Sequence, residues 1–257
     1  VQTLPVLATP IRIVTGSRQA SSLQKCSHTE PELPRHKMTT DETKTGKVWT
    51  SWATFLRDHT RFMVELPGYL AAYLWPGRSL DPITLESVML TVNSVNTCPY
   101  CTGLHGQLAR MAGAEPDAQA PAVKYATTFA HEAGRGADER AAFESLSKEL
   151  GDRKASSVRS LCWALLWGKT TGNSINSTRS KLLSLDLMSL TALEVLVFAY
   201  YGPLFLVIGV LNALLTKAPP VPPWASTLVG ATLYVPQMMH ILPMGLASVA
   251  ARGGSVA

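Results

Sequence analysis

Charge is scarce in this chain. Lysine, arginine, aspartate and glutamate make up 16% of its 257 residues, against roughly 25% in an ordinary soluble protein. The 23 basic residues exceed the 18 acidic ones, for a formal net charge of +5, yet they are scattered. No dense basic run is present, so the patch that nucleic acid requires is missing and no nucleic-acid partner is expected. The excess reads as a mildly basic surface and a basic N-terminal segment. Cysteine is also sparse, with Cys26, Cys98, Cys101 and Cys162 alone. A chain long enough to bury its own core does not need these as staples. Convincing β-alternation and internal repeats are absent too, and the class that remains is all-α.

Acidic residues are missing altogether from residues 1–29, which carry Arg12, Arg18 and Lys25 among many serines and threonines. Together with a first residue that is Val1 rather than methionine, this predicts the processed remnant of a targeting segment, and so a chloroplast or mitochondrial location. An ordinary disordered tail has the same composition, and Met38 is a candidate internal start. Residues 1–46 show no sustained period and are expected to form an extended arm.

The helical domain is expected over residues 47–217. Trp49, Trp52, Phe55, Phe62, Leu66, Leu70 and Leu74 recur at three- and four-residue spacings, with Pro67 as an interruption and Trp75-Pro76-Gly77 as a stop. Asp81-Pro82 opens a second helix as cap and first residue. Asn96-Thr97 breaks it and caps a third, which runs to Gly113. Further helices are predicted over 122–133, 138–150 and 155–168, followed by a polar loop at 169–180 (KTTGNSINSTRS).

The charge deficit is concentrated near the C-terminus. Residues 195–216 carry no formal charge, and after Lys217 the next charge is Arg252. A helix of that length is about 33 Å long and a bilayer core about 30 Å thick, so the segment is long enough to span. A buried helix pair is the other reading, and Gly202, Pro203 and Gly209 interrupt the run. Residues 218–257 read as a Pro-rich linker and an apolar extension, in which Pro236 and Pro243 argue against one straight helix.

Cys98-Pro99-Tyr100-Cys101 at a helix start carries the chemistry. Thiols at i and i+3 share a helical face. The first turn offers unpaired N–H groups and the positive end of the helix dipole, both of which favour thiolate, the reactive form. His105 lies one turn behind Cys101, placed to take a thiol proton or to stabilise a thiolate. One thiol can attack and the other can resolve the product to a disulfide. Structural zinc needs a fourth ligand beyond C-x2-C-x3-H; His131 is available, but no second Cys/His pair exists, so no metal is expected. A buried, inert cysteine pair stays open. CPYC also matches glutaredoxins, but that fold puts a strand before the motif, where residues 83–95 read as helix.

The stretch LESVMLTVNSVNTCPYCTGLHGQLARMAG, residues 85–113, resembles the core motif of the carboxymuconolactone decarboxylase-like, alkylhydroperoxidase D-like proteins: Glu, eleven residues, Cys-x-x-Cys, three residues, His. Glu86, Cys98, Cys101 and His105 match it in type and spacing. A looser match follows in Glu194, Tyr200, Tyr201 and Asn212. The resemblance implies an all-helical, usually oligomeric bundle of the redox branch. In it Cys101 would attack a hydroperoxide or disulfide substrate, Cys98 would resolve to a redox-active disulfide, His105 would move the proton, and Glu86 would complete the relay. It implies no cofactor beyond that disulfide and a dithiol reductant as partner. Well-characterised members carry a second His where this chain has Tyr100. The arm and the apolar C-terminal regions lie outside the motif and suit the alternative reading, an accessory subunit of an organellar membrane complex that reuses the fold.

Overall fold

A computed structural model describes residues 47–253 except Pro76, Asn96 and Thr97. The N-terminal arm with Cys26, and the breaks read at Pro76 and Asn96-Thr97, lie outside the described residues. Those residues form eight α-helices: α1 (Trp52–Leu74), α2 (Pro82–Ser94), α3 (Pro99–Ala112), α4 (Pro121–Glu132), α5 (Ala137–Leu150), α6 (Asp152–Leu183), α7 (Ala192–Leu215) and α8 (Pro223–Ala251), with a 3-10 turn at Leu187–Ser189. No strand occurs among them, and the fold is all-α.

Local chemistry sets several of these limits. The Thr84 N–H donates to Asp81 Oδ1 at 2.9 Å and Pro82 takes the first helical position, so α2 starts where Asp81-Pro82 predicts. α3 stops at Gly113, whose φ of 67° lies in the left-handed region that glycine enters without a Cβ clash. α7 begins with a capping box: Thr191 Oγ1 accepts from the Glu194 N–H and the Glu194 carboxylate accepts from the Thr191 N–H.

α6 corrects the sequence reading. Residues 169–180 continue the helix and are not a loop. The hydroxyls of Thr170, Thr171, Ser174 and Thr178 each donate to the carbonyl four residues back, at 2.8–2.9 Å. Polar groups satisfied in this way can be buried, and being small they admit close neighbours. α6 is therefore the central post, contacted by α1, α2, α3, α4, α5 and α7. Phe62 of α1 stacks on its Trp167 at 5.2 Å.

The prolines read as interruptions do not end helices either. Pro67, Pro203 and Pro243 lie inside α1, α7 and α8 with exposed side chains, and α8 also runs through Pro236. On an outward face, a missing N–H leaves a carbonyl that water can reach, and the ring disturbs no packing.

Residues 218–222, set apart by composition, are pinned to α3. The Val221 N–H donates to Met111 O at 3.0 Å, Ser226 Oγ donates to Leu108 O at 3.0 Å, and the Arg110 guanidinium donates to Leu215 O and Ala218 O. α8 then packs along α1 and α3.

On the inner face of α1 sits His59, fully buried. Trp167 Nε1–H, which can only donate, points at His59 Nε2 at 3.2 Å, so Nε2 must be an acceptor. Tyr201 O–H donates to the same atom at 2.8 Å, and Nδ1–H donates to Phe55 O at 2.8 Å. The neutral tautomer is thereby fixed. Burial is the largest cause that pushes this imidazole down to about 4, against the weaker raising effects of the Phe55 carbonyl and Asp58.

Candidate functional site

Cys98 is the N-cap of α3 and Cys101 lies in its first turn, both as free thiols. Their sulfurs are 2.9 Å apart, with the Cys101 S–H directed at Cys98 Sγ, which also accepts from the Cys101 N–H at 3.4 Å. This makes the two thiols unequal. The Cys101 hydrogen bond, against the opposing effect of burial and with help from the backbone N–H groups and Lys169, brings the Cys98 thiol below its usual range. The same bond, with burial and the Cys98 charge, holds the Cys101 thiol well above it. The acidic sulfur is thus Cys98, whereas the resemblance assigns attack to Cys101. Access runs the other way: Cys98 is 0% exposed and Cys101 9%.

Cys101 and His105 open together on an apolar cavity of about 60 Å³, walled by Phe62, Trp167, Phe205, Ile208, Met238 and Ile241. Cys98 is not part of that lining. Because α7 and α8 supply four of those walls, the apolar C-terminal helices are part of the site's enclosure. A cavity needs about 10–15 Å³ of such space to hold one water, so this one admits a peroxide group but not a bulky molecule.

α2 brings Glu86 to His105. Glu86 Oε2 lies 3.1 Å from His105 Nδ1, and both residues are buried. A carboxylate at Nδ1 keeps the proton there and leaves the Nε2 lone pair as the basic position. α2 and α3 are further tied by Asn93 Nδ2, which donates to Thr102 Oγ1 at 2.6 Å, while Thr102 Oγ1 donates to Cys98 O at 2.9 Å. The four residues singled out by spacing therefore meet in one place.

Two neighbours of the dithiol escape the sequence reading because a loop at 169–180 would hide them. Gly172 of α6 lies against Cys98: a Cβ there would sit 2.6 Å from Cys98 Sγ and 2.9 Å from Phe205 Cε1. One turn earlier Lys169 is 3% exposed, and its ammonium donates to Val92 O at 2.7 Å and to Val95 O. Burial brings this amine down to about 8, against the raising effect of Cys101 and Cys98. A lone lysine between an apolar run and a run of small polar residues was the available signal.

The looser matches have other tasks. Glu194 caps α7 and pairs with Lys181 at 2.7 Å. Tyr201 holds His59, and Tyr200 O–H donates to His240 O at 2.8 Å. Asn212 presses on α3, where a Cβ on Gly103 would lie 2.3 Å from its Nδ2. Cys162 is a core thiol that burial, followed by the Glu139 charge, pushes well up. Tyr100, between the two cysteines, meets Phe205 edge to face at 5.4 Å. These two rings border both the dithiol cavity and an outer apolar groove of about 730 Å³ that runs along α7 past Gly202 and Gly209 to Arg179.

Among the described residues no group of three or more His, Cys, Asp or Glu side chains is placed to hold a metal. No curated protein and no solved structure matches the chain. The sequence model of the carboxymuconolactone decarboxylase family matches residues 59–144, from within α1 to within α5, and so spans Glu86, both motif cysteines and His105. Over that segment the chain is similar to the carboxymuconolactone decarboxylase family.

Proposed function

We propose that the protein is a thiol-dependent hydroperoxidase, or disulfide oxidoreductase, that works through Cys101, Cys98, His105 and Glu86. The observation that carries this reading is a pair of free thiols 2.9 Å apart, one of which shares an apolar cavity with His105. Cys101 is the sulfur that a substrate in the cavity meets, and Cys98 is the base behind it. The Cys98 thiolate takes the Cys101 proton along their contact. Cys101 then attacks the terminal oxygen of ROOH, the O–O bond breaks, and a protonated His105 delivers its proton to RO⁻. The Cys98 thiol next passes its proton to His105 and attacks the Cys101 sulfenic acid. The departing hydroxide takes that proton and leaves as water. In balance, two thiols and ROOH become a disulfide, ROH and water, and an external dithiol restores the thiols by exchange. The groove beyond Tyr100 and Phe205 supports an organic hydroperoxide in preference to hydrogen peroxide. The test is hydroperoxide consumption with a generic dithiol reductant, where Cys101→Ser is expected to abolish turnover; equal rates would sink the reading.

One observation favours a second, compatible reading as a membrane-bound subunit. α7 is long and apolar enough to cross a bilayer, and only 28% of its most apolar window is buried. Leu206, Val210 and Leu214 on α7 and Trp224, Leu228, Met239 and Leu246 on α8 are all more than half exposed. Exposed apolar surface of this extent suits a lipid or subunit contact. Carbonate extraction of native membranes should leave the protein in the pellet, and its release would rule out a spanning α7.

A further inference from the structure

A lysine is almost never fully buried unless its charge is met. Lys169 is buried, and among the described residues no carboxylate pairs with it. Its two hydrogen-bond partners, Val92 O and Val95 O, are carbonyls at the C-terminal end of α2. They satisfy two of its three N–H donors and present the negative end of a helix dipole, but neither carries a full charge. The groups whose charges act on it are the two thiols of α3. Cys98 Sγ lies against Gly172, three residues on and so on the same face of α6. Among the described residues, the other titratable groups of the surrounding elements are engaged elsewhere. Glu86 of α2 is turned to His105 of α3, His59 of α1 is held neutral by Tyr201 of α7, and Glu139 of α5 engages Tyr125 of α4 and Arg159.

We propose that Lys169 is the fixed counter-ion of the dithiol, a positioning residue that holds negative charge on Cys98 while the pair is reduced and so keeps a base beside Cys101. This inference rests on the dithiol being the working site. Two-electron oxidation by a hydroperoxide turns Cys98-S⁻ and Cys101-SH into a disulfide with loss of one proton, and so removes the charge that Lys169 faces. The ammonium is then left with carbonyls alone, and its hold on its own proton weakens. Lys169 and Cys98 are thereby linked: reduction favours the charged lysine, and oxidation favours the neutral one.

The experiment is thiolate ultraviolet absorbance of the reduced full-length chain across pH, which needs no reagent to reach the buried Cys98 sulfur. The wild type should show a thiolate with a midpoint below that of an ordinary thiol, absent from Cys98→Ser. Lys169→Met, which keeps the aliphatic stem, should move the midpoint up by one pH unit or more, and Lys169→Arg should restore most of the shift. A folded Lys169→Met with an unmoved midpoint overturns the proposal, because a lysine that merely clamps α2 would not set the thiol titration. Should Lys169→Met fail to fold, the wild type decides the question through the 15N resonance of Lys169 Nζ in the reduced and oxidised chain. The amine should titrate lower in the oxidised form, and identical titrations overturn the proposal. Neither readout uses peroxide turnover. A lysine-dependent thiolate in a chain that consumes no peroxide would defeat the peroxidase reading and leave this one standing.

Discussion

Replacing Gly172 by alanine sets two physical effects against each other. In a helix interior, alanine is favoured over glycine by about 1 kcal/mol. At this position, however, the new methyl would lie 2.6 Å from Cys98 Sγ and 2.9 Å from Phe205 Cε1, where non-bonded carbon contacts settle near about 3.5–4.0 Å. Cys98 and Phe205 are both buried, so neither neighbour can swing into solvent, and overpacking of this kind costs about 1–3 kcal/mol. The expected net effect is a loss of up to about 2 kcal/mol. Gly168, one turn away on the same helix, has nothing within 4 Å of its Cβ position, so Gly168→Ala should gain up to about 1 kcal/mol. Urea denaturation of the two variants reads the difference directly, with a midpoint separation of roughly 0.5–1 M. Gly172→Ala also has to push Cys98 Sγ by about 1 Å, the scale at which a reacting pair loses roughly a hundredfold in rate, so disulfide formation should slow by roughly ten- to a hundredfold. A Gly172→Ala chain as stable as Gly168→Ala, with unchanged thiol oxidation, would refute the placement of Cys98 against α6.

Two further predictions concern buried ionisable groups. His59 is neutral when folded, with its pKa pushed down to about 4 from 6.5, so between those values the unfolded chain binds the extra proton. Stability therefore rises with pH across that window, is complete above about 6.5, and loses about 3 kcal/mol as pH falls to 4. Urea midpoints of wild type and His59→Gln should converge as pH falls from 7 to 4, and parallel profiles would show that His59 does not set this slope. Glu86→Gln keeps an acceptor for His105 Nδ1–H but removes the charge behind it, and should slow peroxide-driven oxidation by roughly ten- to a hundredfold. Stopped-flow oxidation at an unchanged rate would take Glu86 out of the relay.

Where the sequence is informative, the signal is local. Asp81-Pro82, Gly113 and the Cys98–Cys101–His105 spacing each encode a cap or a shared helix face within a few residues, whereas Glu86 reaches His105 from α2. The second half of α6 is not legible because its serines and threonines look like loop formers when the backbone bonds they return to their own helix are out of sight. The prolines mislead in a similar way, since whether a missing N–H matters depends on which face meets solvent. Lys169 and Gly172 cannot be tied to the dithiol from spacing, because their meeting with Cys98 depends on how α6 packs against α2 and α3. The acidity of Cys98 over Cys101 comes first from the local Cys101 S–H bond, to which a buried amine more than sixty residues away adds a smaller part that spacing does not reveal.

The most direct test of the central claim is mass spectrometry of the reduced full-length chain after one equivalent of an organic hydroperoxide. The account predicts loss of the mass of two hydrogens within minutes, with the new disulfide mapped to Cys98 and Cys101, and a trapped sulfenic acid on Cys101 when Cys98 is replaced by serine. Thiols that stay reduced, or a sulfenic acid that forms on Cys98 when Cys101 is replaced instead, would contradict it.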